Sequence, residues 1–442
     1  MHRYDPGIDG FAAEVFRWSR QRASEDLGGI ALGHPRPPSE LDAVAGSTIT
    51  EDGVGAAEAL RIFTEVLEPA CLSVDFSRYL AFVPAAPTEV SILADLVVSA
   101  CSIYAGSWLE GAGAVWAENQ ALRWLADLAG LPGDAGGCFV SGGTAGNLSA
   151  LVAARHTANS TGRWALVTGE TAHSSMAAAA AVMDVELVVV PGERLTGPAL
   201  APVLAELGDR VFAVAATAGS TNLGLIDELD SVAAACAEAG VWLHVDAAYG
   251  GAALAAPSAR PRFAGVERAD SLIVDPHKWL FAPFDSCALL YRRPELARRC
   301  HAQHASYLDI LNESGDWNPS DFAVHLSRRA RGVPFWLSLA AHGTRAYADA
   351  VEGCLAVARS GASLVAEAGH LEPLGEPELS IVAFRRVGWA AADYQDWSRR
   401  MLASGRALVV PSEHDGAPIL RLCIVNPRTT VADVALVIDS LR

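Results

Sequence analysis

The sequence predicts an α/β fold built on a large, mostly parallel sheet. Between about residues 136 and 291, short β-rich runs alternate with alanine-rich helical stretches. The runs are almost continuously apolar, as expected for strands whose two faces are both covered. Strands that alternate with helices are typical of parallel α/β domains. The seven predicted strands are Gly137–Ser141, Ala165–Thr168, Glu186–Pro191, Val211–Ala215, Val241–Asp246, Ser271–Asp275 and Cys287–Tyr291.

The regions on either side of this sheet predict smaller units. Residues 1–75 contain helical stretches with a proline-rich break at His34–Pro38, which favours a docking arm over an independent core. After the sheet, Gly343–Ala368 predicts a long helix. Three more strands and a final helix are predicted over 379–386, 408–411, 419–425 and 431–441. We therefore predict an N-terminal helical arm (1–75), a large α/β domain (76–340) and a small α+β domain (341–442).

Composition excludes several classes of partner. The chain has 442 residues, half of them hydrophobic, and a formal net charge of −18, which would repel nucleic acid and acidic membranes. Residues 1–10 lack the features of a secretory signal, so we expect a cytoplasmic protein. The eight cysteines include no Cys-x-x-Cys pair and predict reduced thiols, and no spacing of ligands indicates a metal site.

Lys278 is the only lysine in the chain and lies in the segment Val274–Trp279. A chain that otherwise uses arginine for positive charge keeps an amine here, which favours chemistry over surface solvation. Arginine stays protonated, whereas a lysine amine can lose its proton and attack a carbonyl group. Desolvation and a neighbouring cation would lower the pKa of this amine towards the neutral form. The residue is therefore a candidate for Schiff-base formation.

Three other polar features follow predicted strands, where ligands bind in open α/β sheets. The glycine-rich segment Ser141–Asn147 leads into a helix and can hold a phosphate, or it is simply a tight strand-to-helix turn. Asp246 can pair with a protonated ring nitrogen, or it caps a helix. His173 can stack on a planar cofactor and move a proton, or it is structural. With Lys278, they describe a site for pyridoxal 5′-phosphate.

The segments that carry these residues resemble one enzyme family. His244–Gly250 and Asp275–Trp279, preceded by Ser141–Thr144 and Ala172–Ser175, are similar to motifs of the group II pyridoxal-phosphate-dependent amino-acid decarboxylases. This family has the type I fold and includes the aromatic-L-amino-acid decarboxylases. The resemblance extends from about residue 75 to the C-terminus.

The resemblance implies a role for each matching residue. Lys278 would bind the cofactor covalently, Asp246 would pair with the pyridine nitrogen, and His173 would stack on the ring. The remaining cofactor contacts would come from the phosphate ligands Gly143 and Thr144, and from His277, Ala248 and Thr221. Tyr307, in Ser306–Leu308, would be the acid that protonates the carbanion, although a core or surface tyrosine is the alternative.

The resemblance also concerns the substrate and the assembly. Arg421 would bind the substrate α-carboxylate, although a structural salt bridge is the alternative. Ser327 lies where a partner subunit reaches the phosphate, which implies a homodimer with sites at its interface. The side-chain pocket would be apolar, with its wall formed by Phe82, Val83, Pro84, Tyr104 and Trp108, the last two from the neighbouring subunit.

These residues predict decarboxylation of an L-amino acid with an aromatic or large apolar side chain. Ala85–Pro87 and Gly111–Ala114 depart from the usual family patterns, and Asp275 stands where asparagine is frequent. Two other reactions with the same cofactor remain open, namely an oxidative aldehyde synthase and a carbon–carbon lyase. A non-catalytic scaffold that retains the fold is a third alternative.

Overall fold

The computed structural model describes residues 8–24, 30–158, 164–303 and 316–442. Within these residues, seven strands form the main sheet in the order β1-β7-β6-β5-β4-β2-β3. Only β7 runs antiparallel to its neighbours in this sheet of the described chain, so the predicted mostly parallel α/β sheet is confirmed. The strands are β1 (Gly136–Val140), β2 (Ala165–Gly169), β3 (Glu186–Val190), β4 (Val211–Thr217), β5 (Trp242–Asp246), β6 (Ser271–Val274) and β7 (Cys287–Tyr291).

Helices cover both faces of this sheet, and each face buries its own hydrophobic core. Along β5, Leu243 and Val245 pack into one hydrophobic core, whereas Trp242 packs into a second core on the other face. The helices of the described residues up to the end of the sheet region are α1 (Ile8–Arg22), α2 (Pro38–Ala45), α3 (Ala56–Ile62), α4 (Glu89–Cys101), α5 (Trp108–Leu128), α6 (Gly143–Thr157), α7 (Ser175–Met183), α8 (Gly197–Leu207), α9 (Leu229–Ala239), α10 (Pro276–Trp279) and α11 (Pro294–His301).

A second, antiparallel sheet follows, with strand order β10-β11-β9-β8. Its strands are β8 (Leu371–Pro373), β9 (Ile381–Arg386), β10 (Ser412–His414) and β11 (Ala417–Cys423), and the helices beside it are α12 (Val333–Glu367), α13 (Ala391–Ala403) and α14 (Val431–Asp439). The strand predicted over 408–411 is wrong. Leu408 instead forms an isolated bridge with Tyr79, which ties the segment to the chain before the main sheet.

The helix predicted over Gly343–Ala368 is the second half of a longer, interrupted helix. α12 starts at Val333 and is interrupted at Gly343, whose φ of 77° lies in the region that only glycine adopts freely. The division of the chain at residues 75 and 340 stays a prediction.

The N-terminal helices attach to the rest of the described chain partly through charged contacts. Arg22, at the end of α1, donates to Asp75 at 3.0 Å and to Ser73 at 3.0 Å. Glu68 also pairs with Arg22, at 2.5 Å. None of the helices in the described ranges combines the length and the apolar character needed to cross a bilayer.

Candidate active site

A cavity of about 360 Å³ opens where the parallel strands of the main sheet end. Asp246 is the last residue of β5, Thr217 is the last residue of β4, and Lys278 lies in the short helix that follows β6. The strand register places Thr217 opposite Asp246. This one cavity brings together most of the predicted site residues. They are Lys278, Asp246, His173, Gly143, Thr144, Ala248, Thr221, His277, Phe82, Val83 and Arg421.

Lys278 is held by a carboxylate. Its Nζ lies 2.9 Å from Oδ2 of Asp275, and its own side chain is 24% exposed. Burial by itself would lower the pKa of Lys278, but Asp275 and Asp246 outweigh burial and raise the pKa above its usual value. The expectation of a lowered pKa was therefore wrong, because the charged groups that act on the amine are anionic rather than cationic.

Asp275 is fully buried, so its ion pair with Lys278 forms at a cost in desolvation free energy. Burial alone would raise its pKa, but Lys278 and His277 lower it, so the carboxyl is held in its charged form. Its Oδ1 atom has no hydrogen-bond partner among the described residues. A buried charge with an unsatisfied oxygen is unfavourable unless a partner compensates it.

Asp246 is fixed by its backbone and by neutral donors. Its carbonyl oxygen accepts from Ala218 N at 2.8 Å, which extends the pairing of β4 and β5. Its side chain accepts from the Asn147 amide at 2.8 Å and from the backbone N of Ala248 at 3.1 Å. One carboxylate is thereby held at the floor of the cavity in a defined orientation.

His173 lies at the rim of the cavity, in the segment that connects β2 with α7. Its Nδ1 atom accepts from the backbone N of Ser175 at 3.1 Å and lies 2.9 Å from Oγ of Ser175. Ser175 is buried, whereas His173 is exposed. The ring is therefore anchored at one nitrogen and accessible on its faces, as a stacking group requires.

The first turn of α6 forms a cradle beside Asp275. An added Cβ at Gly143 would lie 3.2 Å from Oδ2 of Asp275 and 3.3 Å from Cβ of Ala248, so a side chain would crowd this space. The first amides of a helix have no partner within the helix and are suited to bind an anion. His277 accepts from Ser286 N at 3.0 Å through Nδ1, and burial lowers its pKa.

Arg421 reaches the cavity from the second sheet, because it lies on β11. Its guanidinium donates to the backbone oxygen of Phe82 at 2.9 Å, and the residue is buried. The Phe82 side chain is 55% exposed, and its φ is 54°. Pro84 is buried but does not line the cavity, so the structure does not bring this predicted pocket residue to the site.

Three predicted residues lie elsewhere on the same chain. Tyr104 and Ser327 line a separate surface recess, where the Tyr104 hydroxyl donates to Leu326 O at 3.1 Å. Trp108 is partly buried, and its backbone N donates to Asn318 at 2.9 Å. None of the three lines the Lys278 cavity. Tyr307 lies outside the described residues.

Sequence reasoning did not assign roles to Asn147, His244, Ser175 and Tyr249. Asn147 and Tyr249 line the cavity, and His244 and Ser175 contact Asn147. The spacing of His244 in the sequence could have identified it as a site residue. It lies two positions before Asp246 on a strand, so the two side chains share a face of the sheet. Asn147 likewise follows Gly143 by about one helical turn.

The comparison with known proteins decides the family. Residues 60–387 match the family model described as the pyridoxal-dependent decarboxylase conserved domain. The chain belongs to the pyridoxal-dependent decarboxylases. An aromatic-L-amino-acid decarboxylase of Bacillus atrophaeus is 30% identical over 415 residues, which cover 89% of this chain and 86% of that protein.

Other members of the pyridoxal-dependent decarboxylases are similarly related. An L-2,4-diaminobutyrate decarboxylase of Rhizobium meliloti (strain 1021) is 30% identical, with coverage of 89% of this chain and 83% of that protein. The crystal structure of Oryza sativa TDC with PLP and tryptamine has the same fold. Its TM-score is 0.91 at 22% identity, with 99% of this chain and 98% of that chain covered.

Pyridoxal 5′-phosphate, the cofactor of the pyridoxal-dependent decarboxylases, fits the cavity in three respects. Lys278, the only lysine of the chain, lines the cavity and would supply the amine for its aldehyde. Asp246 offers a carboxylate, held by neutral donors, for a protonated ring nitrogen. The first turn of α6, where a Cβ at Gly143 would crowd Asp275 and Ala248, would bind the phosphate through its free backbone amides.

Proposed function

We propose that this protein removes the α-carboxylate of an L-amino acid with an aromatic or large apolar side chain, and releases the amine and CO2. The observation that carries the proposal is the joint placement of Lys278, Asp246 and Arg421 around one cavity. An amine, an anion and a guanidinium are the three charges that this cofactor and an amino-acid substrate require together. Membership of the decarboxylase family supports the reaction type.

Each charged residue has a distinct task in this proposal. Pyridoxal 5′-phosphate supplies a ring that accepts the electrons left when CO2 departs. Lys278 would hold the cofactor through its amine. Asp246 keeps the proton on the ring nitrogen. Arg421 would orient the substrate carboxylate, His173 would stack on the ring, and Tyr307 is the predicted donor of the proton to Cα.

The preference for a large apolar substrate is supported by the cavity wall. Phe82 and Val83 line the cavity close to Arg421, whose guanidinium holds the Phe82 carbonyl oxygen. A substrate whose carboxylate is bound by Arg421 therefore has an apolar surface within reach. The relatives named above include both an aromatic and a diaminobutyrate decarboxylase, so the substrate itself has to be identified by assay.

We also propose a homodimer with its sites at the interface. Tyr104 and Ser327 share one recess that lies outside the Lys278 cavity of their own chain. This arrangement fits residues that complete the cavity of a second copy. The exposed side chain of Phe82, at the mouth of the cavity, is a surface that such a copy would cover. The cytoplasmic location stays a prediction, to which the eight free cysteines are suited.

The test combines a spectrum with product analysis. Purified protein and pyridoxal 5′-phosphate should give an absorption band near ~420 nm, as expected from the Schiff-base chemistry of the cofactor. Each of the twenty amino acids is then added while CO2, amine, oxygen and hydrogen peroxide are measured. We expect CO2 and amine in equal amounts from one or a few large apolar amino acids.

Lys278→Ala should abolish both the band and turnover while the protein remains folded. Borohydride reduction of the wild-type complex should label Lys278, the only lysine of the chain. Oxygen consumption with hydrogen peroxide release would instead identify an aldehyde synthase, and cleavage of a β-hydroxy amine would identify a lyase. A protein that gives no band would contradict the whole proposal and favour a scaffold.

A further inference from the structure

One face of β5 carries an unusual row of buried polar groups. Trp242, His244 and Asp246 occupy alternate positions, so their side chains share a face of the sheet. Leu243 and Val245 point to the opposite, apolar core. All five residues are buried. Polar groups in such a position need partners, and each of these three has one.

The row is connected by hydrogen bonds to the neighbouring strand and to helix α6. The Trp242 indole Nε1 donates to Oγ of Ser271 at 2.8 Å. Ser271, which is paired with His244 across β5 and β6, lies 2.9 Å from Nδ1 of His244. The Nε2 atom of His244 lies 2.8 Å from Oδ1 of Asn147. Asn147 Nδ2 then donates to Asp246 at 2.8 Å and to Ser175 Oγ at 2.9 Å.

The direction of each hydrogen bond can be derived from chemistry. A charged carboxylate only accepts, so the Asn147 amide must present its nitrogen to Asp246 and its oxygen to His244. The Nε2 atom of His244 therefore carries a proton. Burial lowers the pKa of His244 to about 4, so at neutral pH its Nδ1 has no proton and accepts from the Ser271 hydroxyl. Trp242, which can only donate, completes the chain.

The same reasoning applies to the branch that leads to His173. Ser175 Oγ accepts from Asn147, so its hydroxyl proton is directed to Nδ1 of His173 at 2.9 Å. The backbone N of Ser175 donates to that nitrogen as well, at 3.1 Å. The ring proton of neutral His173 is therefore on Nε2. A single amide thus connects the predicted ring-nitrogen carboxylate with the predicted stacking histidine.

We propose that Asn147 is a positioning residue for Asp246 and for the Ser175–His173 pair. It fixes both through a chain of hydrogen bonds that starts at the Trp242 indole and in which each donor points to the next group along the chain. Its two amide hydrogens are both used, one on each branch, so Asp246 and Ser175 cannot shift independently. Its oxygen accepts from His244, which prevents the amide group from flipping. The proposal rests on the proposed role of Asp246, but its first test does not.

The first test is the tautomer of His244 in the protein without cofactor. Two-bond ¹H–¹⁵N correlation spectra of ¹⁵N-histidine-labelled protein distinguish the two neutral forms, and the His244 and His173 signals are assigned with His244→Gln and His173→Gln. We expect a proton on Nε2 of both rings. A proton on Nδ1 of His244 would overturn the proposal, because Asn147 would then have no donor for its oxygen.

The second test compares cofactor affinity among variants of Asn147. Asn147→Leu should weaken binding of pyridoxal 5′-phosphate by about tenfold or more, the factor for loss of one hydrogen bond to a charged group. Asn426→Leu is the matched control, since Asn426 is equally buried, bonds to Asp75 O at 2.9 Å and lies outside the cavity. Equal effects of the two variants would reduce Asn147 to a structural role.

The isosteric variant Asn147→Asp gives the sharpest readout. It would place a second carboxylate beside Asp246, and the two can share one proton only at low pH. We therefore expect its affinity, relative to that of the wild type, to fall as the pH rises. A ratio that does not change with pH would show that position 147 does not act on Asp246, and would contradict the proposal. If the protein bound no cofactor at all, the proposed function would fail, whereas the tautomer of His244 would still test the hydrogen-bond chain.

Discussion

Asp275 and Lys278 form an ion pair of 2.9 Å in the wall of the cavity, where Asp275 directly precedes the short helix α10 that carries Lys278. The carboxylate is buried, one of its oxygens has no hydrogen-bond partner in the described structure, and together with Asp246 it raises the pKa of the lysine. The protein without cofactor therefore holds the Lys278 amine in its charged form. If Lys278 binds the cofactor as proposed, attachment has to disrupt this pair.

Replacement of Asp275 by asparagine should lower the pKa of Lys278. Each unit of decrease makes the neutral amine about tenfold more abundant at pH 8, so the cofactor should attach faster. Because the chain has one lysine, ¹³C-labelled lysine gives a single side-chain signal to titrate. Asp439→Asn, at an exposed pair with Arg442, is the control. An unchanged lysine titration in Asp275→Asn would contradict this prediction.

The Arg421→Lys variant should separate two roles of this guanidinium. If it binds the substrate carboxylate, its replacement should raise KM by about 10- to 100-fold, because the lysine amine cannot form the same fork. The amine product lacks the carboxylate, so its inhibition constant should stay unchanged. If Arg421 only holds the Phe82 backbone, binding of product and substrate should weaken equally. The exposed Arg399→Lys is the control.

The buried His244 should make stability depend on pH. Its pKa falls from 6.5 in the unfolded chain to about 4 in the folded protein. Its contribution is therefore complete above pH 6.5 and is lost as the pH falls towards 4, on the order of 3 kcal/mol in all. Urea unfolding of the wild type and of His244→Gln between pH 4 and 7 measures the contribution of His244 to the free energy of unfolding.

The variant should lose less stability than the wild type over this range. Parallel curves for the two proteins would show that His244 does not titrate as predicted. Burial raises the pKa of Asp227 to about 6, which has the opposite effect on the pH dependence. That group is present in both proteins, so its effect cancels in the comparison.

The Arg328–Glu118 pair is fully buried, and both guanidinium contacts are 2.7 Å long. Glu118→Gln would leave the arginine charge without its anion, at a cost of about 3–5 kcal/mol in the free energy of unfolding. Glu58→Gln, at an exposed pair with Arg61, should leave the urea midpoint unchanged. A small effect of Glu118→Gln would mean that water reaches this site.

The predicted site residues that follow strands were brought together because parallel strands end at one edge of a sheet. Lys278, Asp246 and His173 could therefore be placed from the sequence alone. The charge state of Lys278 could not be predicted from the sequence, because it depends on the direction in which the Asp275 side chain points. The alternation of Trp242, His244 and Asp246 along β5 predicts that their side chains share one face of the sheet.

The second sheet was predicted less well, for a physical reason. The hairpin of β10 and β11 turns at Asp415 and Gly416, and its short strands are defined by pairing rather than by an apolar run. The segment at Leu408 has strand-like residues but pairs with Tyr79, more than 300 positions away. Which segment pairs with which strand is determined here by tertiary contacts, and these cannot be predicted from the local sequence.

The hydrogen bond between Arg421 and the Phe82 carbonyl has a consequence for redesign of the substrate range. The group proposed to bind the carboxylate also supports the backbone of the residue proposed to contact the side chain. Changes at these two positions should therefore be strongly non-additive, since each alters the setting of the other. Libraries that vary Phe82 and Arg421 one at a time would miss the combinations that work, and the pair is best randomised together.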